Sequence, residues 1–232
     1  KQCNMDNISI KAQLRILTIN GSYEWFEIHC NPLWDENKNK CVKIAGTLVN
    51  INALRQMQSE ATTWRERARR DPLTGLYNRA IFREKVLALL EEKSKGALIF
   101  MDVDYFKMVN DTLGHAIGDD VLLTVAKRLR NFFRESEDVI ARYGGDEFLV
   151  FLKNVSSQEE LRKKLEELLE VFREKYQRGE TTWNITGSVG AALCPEDASD
   201  YQTLLEKADT ALYVSKNRGR DRFTLYCDCN EK

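Results

Sequence analysis

Four acidic residues fall into two short clusters whose surroundings could put them to chemical use. Asp102 and Asp104 close the apolar run Ala97-Leu98-Ile99-Phe100-Met101. A run that is apolar throughout reads as a buried strand, so Asp102-Val103-Asp104 stands at the C-terminal end of a central strand. Asp146 and Glu147 follow Gly144-Gly145, with Val139-Ile140-Ala141 before them and Phe148-Leu149-Val150-Phe151-Leu152 after. Two β-type runs around a tight Gly-Gly turn make a hairpin with adjacent carboxylates at its tip. Taken alone, Gly-Gly-Asp could serve only to reverse the chain. Carboxylates from two separate strands, Asp102 and Asp146, are hard oxygen donors that together suit one or two magnesium or manganese ions held over phosphate groups. Lys216 and Arg220 are four residues apart in a helical stretch, so both point the same way and could clamp phosphates; a plain surface pair is the alternative.

The pentapeptide Gly144-Gly145-Asp146-Glu147-Phe148 matches the signature of the GGDEF family of diguanylate cyclases, and the chain resembles that family at further points. They are Asp71-Pro72-Leu73-Thr74-Gly75-Leu76-Tyr77-Asn78-Arg79, the Asp-x-Asp-x-Phe-Lys-x-x-Asn-Asp run from Asp102 to Asp111, Gly114-His115-x-x-Gly118-Asp119, and Ala211-Leu212-Tyr213-x-x-Lys216-x-x-Gly219-Arg220. Members condense two GTP molecules into cyclic di-GMP. The resemblance implies Mg2+ or Mn2+ held by Asp102, the Val103 carbonyl, Asp146 and Glu147, with Asp146 the candidate base for a ribose 3′-hydroxyl and Glu147 its catalytic neighbour. It implies that Lys107, Lys216 and Arg220 contact phosphate and that Gly144 and Gly145 lie against the substrate. Asp119, helped by Asn110, becomes the guanine reader: guanine offers two adjacent N–H donors that one carboxylate accepts, and adenine does not. His115 receives no role. Each domain would hold one GTP, so catalysis would need a homodimer. Many members carry Arg-x-x-Asp ahead of the signature as a product-inhibition site. Here the positions in register read Glu135-Ser136-Glu137-Asp138, with Arg134 displaced by one, which argues against tight feedback there.

These residues need elements to position them. Helical periodicity runs over Ala80 to Glu92, Leu122 to Phe133 and Leu161 to Phe172, while Gly114-His115-x-x-Gly118-Asp119 interrupts the helical pattern after Lys107. By the resemblance, Thr181 to Leu193 contains Ile185-Thr186-x-Ser188-x-Gly190, a strand of the family fold, while Ala208 to Arg220 reads as a helix running into a turn at Gly219. The resemblance implies an α/β (α+β) domain over 71–232, with a nucleotide-cyclase or palm-like five-stranded, mainly antiparallel sheet flanked by helices. Before it, Ile10 to Ile19, Tyr23 to Leu33 and Cys41 to Ile51 are β-rich, separated by Asn20-Gly21-Ser22 and by Asp35 to Lys40: an antiparallel meander. With Asn20-Gly21-Ser22-Tyr23-x-Trp25-Phe26 and Gly46-Thr47-Leu48-Val49-Asn50-Ile51, residues 1–52 resemble the C-terminal half of a PAS sensory domain. A face bearing Phe26, Ile28, Ile44 and Leu48 is expected to be covered by another part of the structure or a second protomer. His29 reads as an ordinary strand residue. Ile51, Leu54, Met57, Ala61, Trp64 and Ala68 recur at helical spacing, making 53–70 an amphipathic linker that either packs on its own domain or forms a short coiled coil. Asp71-Pro72 ends it.

Composition narrows the alternatives. Within 232 residues, 35 Lys+Arg against 36 Asp+Glu give a net charge of −1, so no basic field for nucleic acid exists. No apolar run approaches the roughly 20 residues of a membrane span, so this segment is expected to be cytoplasmic and without membrane contact. Because it starts at Lys1, it reads as a fragment whose full-length protein could be tethered to a membrane. The six cysteines are scattered and expected to be reduced, Cys227-x-Cys229 having no second ligand pair for zinc. Two rival functions remain at this level: a catalytically silent GTP-binding regulatory module, and a PAS-type dimerisation module. Intact Asp102, Asp146, Glu147, Lys216 and Arg220 favour the enzyme.

Overall fold

A computed structural model describes residues 9–35, 41–134, 136–155, 157–178 and 181–229. The chain forms two compact units, residues 1–66 and 67–232. In the first, β1 (Ile10–Leu17), β2 (Tyr23–Trp34) and β3 (Cys41–Asn50) make the expected antiparallel meander with β2 central. The register sets Ile28 opposite Ala12 and Leu48, and Pro32 opposite Ile44, so these side chains share one face with Phe26. Ile44 and Leu48 are exposed, and within the described residues of this unit that face stays largely open. His29 pairs with Glu27 on the opposite face at 2.7 Å, an ordinary strand contact. The second expected turn, Asp35 to Lys40, lies outside the described residues from 36 onward.

Helix α1 (Asn52–Arg69) starts where the linker was expected. Its first turn is tied to the central strand: Ile51 N–H donates to the Trp25 carbonyl at 2.9 Å, and Trp25 N–H to Asn52 Oδ1 at 2.7 Å. The Arg55 guanidinium lies 3.8 Å from the centre of the Trp25 ring, a cation–π contact that fixes the direction in which the helix leaves.

The second unit is built on a sheet of order β11-β10-β5-β7-β6-β4. Strands β5 (Gly96–Val103), β6 (Val139–Gly144), β7 (Glu147–Lys153), β10 (Gly187–Cys194) and β11 (Arg222–Leu225) supply the five expected strands. The two-residue β4 (Tyr77–Asn78), too short to show any periodicity, adds a sixth at the edge. Pairing is antiparallel through the middle and parallel at both margins. All eight residues of β5 are buried. Its alternation divides the core: Leu98 and Phe100 face α2 (Arg79–Glu91) and α6 (Tyr201–Asn217), while Ile99 and Met101 face α4 (His115–Phe132) and α5 (Gln158–Phe172).

Two expectations about local structure need correction. The helical break after Lys107 is at Gly114 alone, whose φ of 92° ends α3 (Phe106–Leu113); Gly118 and Asp119 lie inside α4. The family strand expected through Ile185-Thr186-x-Ser188-x-Gly190 is broken at Thr186, which separates β9 (Thr181–Ile185) from β10. β9 pairs instead with β8 (Glu174–Arg178) as a separate ribbon. The five described cysteines form no disulfide. No helix among the described residues is long and apolar enough to cross a membrane.

Helix α6 lies on β10 at Gly190, where a β-carbon would collide with the Ala208 carbonyl and the Leu212 amide. Backbone cannot swing aside as a side chain does. Gly190→Ala should therefore lower unfolding stability by about 1–3 kcal/mol or more, read as a fall in the urea midpoint with unchanged slope.

Candidate functional site

Three pieces of chain meet at the C-terminal end of β5. Asp102 stands opposite Glu147 of β7 on one side and Ser188 of β10 on the other. The Val103 N–H donates to the Asp146 carbonyl at 3.2 Å, which docks the hairpin tip against the strand end. Lys216, on the last turn of α6, reaches in with Nζ 2.7 Å from Asp102 Oδ2. Burial raises the Asp102 pKa to about 6; the Lys216 hydrogen bond lowers it, and the neighbouring Asp146 and Asp104 push it up again. Glu147 is also shifted up, by burial first and then by Asp102 and Asp146. One lysine thus leaves the cluster short of positive charge.

The glycine tip is held from below. Arg142, two residues before Gly144, donates from Nε and Nη2 to the Gly145 carbonyl at 2.9 and 2.6 Å. Its Nη1 lies 3.1 Å from Asp71 Oδ1. Gly145 itself has φ 52°, a left-handed turn position that suits glycine. Asp71 also accepts from the Thr74 amide and hydroxyl at 2.8 and 2.7 Å. Burial opposes ionisation of Asp71, but the Thr74 bonds and Arg142 outweigh it and hold its carboxyl below the usual range. Neither Arg142 nor Asp71 is a site candidate from the sequence, although Asp71 opens the family motif that includes Thr74 and Arg142 stands just ahead of Tyr143-Gly144.

Lys107, Asn110 and Asp119 sit on the α3–α4 pair that follows Asp104. None of them bonds to Asp102, Asp146 or Glu147 among the described contacts. Lys107 and Asp119 are exposed and Asn110 is half-buried. Asn110 Oδ1 occupies the space where a β-carbon of residue 118 would stand, so Gly118 lets Asn110 lie against α4 beside Asp119. His115 is exposed at the start of α4.

The helical pairing expected of Lys216 and Arg220 is incorrect. α6 ends at Asn217, and Arg220 lies in the following turn with φ 64°, its guanidinium 4.6 Å from the Tyr105 ring centre. Both still reach the carboxylate end of β5, since Arg220 Nε is 4.0 Å from Asp104. Away from the site, Arg134 pairs with Glu137 at 3.6 Å, and Asp138 accepts from the amides of Arg134 and Lys153. Glu135 lies outside the described residues.

The donor set fits a hard divalent cation that brings ligands of its own. Among the described residues no three acidic, imidazole or thiol side chains converge as a finished cage. Two facing carboxylates whose pKa values are both pushed up, beside a strand-end carbonyl, form an incomplete oxygen shell that phosphate oxygens could close.

A family model for the diguanylate cyclase GGDEF domain matches residues 68–222. The chain belongs to the GGDEF family. It is 36% identical over 170 residues to the diguanylate cyclase TpbB of Pseudomonas aeruginosa, covering 71% of this chain and 39% of that protein. It is 37% identical over 197 residues to the cyclic di-GMP phosphodiesterase NbdA of the same species, covering 83% of this chain and 25% of that one. The chain therefore spans well under half of these relatives. The solved GGDEF domain of TpbB superposes with a TM-score of 0.62 at 36% identity, over 68% of this chain and 94% of that one. The coiled coil and GGDEF domain of DgcB from Caulobacter crescentus, in complex with c-di-GMP, gives 0.65 at 30% identity, over 75% and 93%. These neighbours share the α/β cyclase architecture of the second unit.

The raised Asp102 pKa has a consequence for the GGDEF domain's stability. A carboxyl whose folded pKa exceeds its unfolded one binds more protons when folded, so stability falls as pH rises from about 4, the ordinary carboxylate value, to about 6 and stays reduced above it. Asp102→Asn removes that cost. Without divalent metal, it should melt about 2–4 °C above wild type at pH 8, the shift that about 1 kcal/mol produces in a domain of this size. The advantage should disappear at pH 4, as scanning calorimetry at the two pH values would show.

Proposed function

We propose that this chain is a diguanylate cyclase that converts two GTP into cyclic di-GMP and two pyrophosphates. The observation that carries the reading is the pairing of Asp102 with Glu147 beside the Asp146 hairpin tip, with Lys216 directed at the same carboxylates, in a chain of the GGDEF family. A Mg2+ or Mn2+ ion bound by Asp102, the Val103 carbonyl, Asp146 and Glu147 would neutralise charge developing on the α-phosphate. The remaining work falls to the chain's own groups. Asp119 and Asn110 select guanine by accepting and donating along its edge. Lys107, Lys216 and Arg220 supply positive charge to the phosphates, Lys216 by turning from Asp102 toward them. Gly144 and Gly145 carry no side chain at the tip, where a β-carbon would meet nothing from the protein, so the nucleotide can approach the backbone closely. Asp146 takes the proton of a 3′-hydroxyl while that oxygen attacks in line and pyrophosphate leaves.

Each domain holds one GTP, so the second nucleotide must come from a facing copy of the domain in a two-fold homodimer. Leu54, Met57 and Trp64 are 55, 67 and 68% exposed along one stripe of α1, which supports that helix as the dimer seam. The side chain of Ala61 lies outside the described residues. In this scheme residues 1–52 are a partial PAS-like sensory segment, 53–70 the linker and 71–232 the catalytic domain.

Incubation with GTP and magnesium, followed by chromatography for cyclic di-GMP, tests the activity directly. Asp146→Ala should lower product formation by about a hundredfold or more, the range of a lost general base, with far-ultraviolet circular dichroism unchanged. A wild-type chain that binds GTP but yields no product would instead be the silent regulatory form.

Charging the stripe with Leu54→Glu and Met57→Glu should separate the protomers and make specific activity fall steeply on dilution. Sedimentation and rates over a range of protein concentration check this; a double variant that stays dimeric places the dimer contact elsewhere.

A further inference from the structure

Asp104 differs from the other acids at this end of the sheet because its side chain is wholly enclosed. It accepts from the Thr186 hydroxyl at 2.7 Å, the Ser188 hydroxyl at 2.6 Å and the Asp221 backbone N–H at 3.0 Å. Its own N–H donates to the Thr186 carbonyl at 2.9 Å. A carboxylate so enclosed, with three donors converging on it, is poorly placed to bind an ion or nucleotide. What it does grip is the turn after α6. There Arg220 and Asp221 have φ of 64° and 46°, both in the left-handed region. Residues with a β-carbon adopt that region at a cost of about 1–2 kcal/mol each, and keep it only where the surroundings enforce it.

The turn is enforced from two sides. From inside, Asp104 binds the Asp221 amide; from outside, Arg173 Nε and Nη2 each lie 3.2 Å from the Asp221 carboxylate. Between these anchors the Arg220 side chain runs past Asp104, Nε at 4.0 Å, and lays its guanidinium over Tyr105. Tyr105 directly follows Asp104 and is itself left-handed, at φ 57°. One buried carboxylate therefore links the two backbone segments that define where Arg220 points.

We propose that Asp104 is a positioning residue for Arg220: by holding the Asp221 amide it fixes the left-handed turn that aims the guanidinium across Tyr105 into the site, and so sets the affinity for the nucleotide's phosphates. The inference rests on the reading of Arg220 as a phosphate ligand. Asp104→Asn keeps the side chain's shape but removes its charge, so the oxygen that remains holds the Asp221 amide and the Thr186 hydroxyl by neutral hydrogen bonds about half as strong, which loosens the turn.

The test is a double-mutant cycle on the full chain, with binding of 3′-deoxyguanosine triphosphate and magnesium followed by calorimetry. That nucleotide lacks the attacking hydroxyl and so reports binding alone. Asp104→Asn and Arg220→Ala should each raise Kd about tenfold or more, the change that one charge-assisted hydrogen bond produces. The double variant should bind no more weakly than Arg220→Ala. If Asp104→Asn weakens binding by the same factor in both backgrounds, or in neither, the proposal is overturned while the role of Arg220 stands. If Arg220→Ala leaves Kd unchanged, the phosphate reading fails instead, and the proposal with it. Should Asp104→Asn lose its cooperative thermal transition, Thr186→Val, which removes one donor and leaves the carboxylate, replaces it in the same cycle with a smaller expected factor and the same criteria.

Discussion

The GGDEF unit depends on keeping carboxylates together at the buried end of one strand. Like charges at such a place repel, and burial removes the water that would screen them. Asp102 shows the cost in its raised pKa, and Glu147 shares it. The cost is tolerable because the strand beneath is rigid: β5 is buried along its whole length, paired on both sides and packed on both faces. Only a framework of that kind fixes Asp102 opposite Glu147 without letting the two drift apart. The close approach of α6 at Gly190 serves the same end, since that helix carries the one lysine that answers the cluster's charge.

A second constraint joins the hairpin tip to the start of the unit. The tip itself has little core to hold it: Gly144 and Gly145 are exposed and bring no side chains. Arg142 supplies what packing does not, spanning from the Gly145 carbonyl to Asp71, and Thr74 orients Asp71 in turn. The same segment is bound to its surroundings through Asn78, which donates to the Ala68 carbonyl, and Arg70, which donates to that of Gly75. The point where the linker helix ends is thus three residues of hydrogen bonding away from the backbone carrying Asp146. A charged, mostly buried pair joins the segment that follows the linker helix to the Gly145 carbonyl.

Much of this was legible in the sequence because the relevant signals are local. An unbroken apolar run identified β5 and placed Asp102 at its end, and a Gly-Gly turn between β-rich runs gave the β6–β7 hairpin. The helix after Asn78 was equally plain; Asn78 caps it by accepting from the Ala80 and Ile81 amides. What escaped were features defined by partners far along the chain. β4 has two residues, and no periodicity exists in two. β8 and β9 make a ribbon of their own, which breaks the strand expected through Ile185-Thr186-x-Ser188-x-Gly190. The spacing of Lys216 and Arg220 suits a helix, whereas α6 ends at Asn217 and Gly219, Arg220 and Asp221 all have positive φ. The Asp104 contacts with Thr186, Ser188 and Asp221 span 82 to 117 residues of sequence, and no local pattern announces them.

Asp102 and Asp104 make the deeper point, because only the family resemblance, and neither residue type nor place on the strand, separates them in the sequence. They are two residues apart at the end of one strand, of the same type and both buried. Asp104 meets two hydroxyls and a backbone amide, a set of donors that completes its needs from within the protein. Asp102 meets one lysine and three more acids, Asp104, Asp146 and Glu147, a set that does not. A carboxylate satisfied by its own chain stiffens structure; one left short of positive charge attracts a cation from solution. The strand end therefore divides structure from chemistry within three residues, and the division lies in the neighbours rather than in the aspartates. Lys216 partly neutralises Asp102 from a flexible stem on α6, and in the function proposed above that stem lets it leave for a phosphate without disturbing the backbone at Asp104.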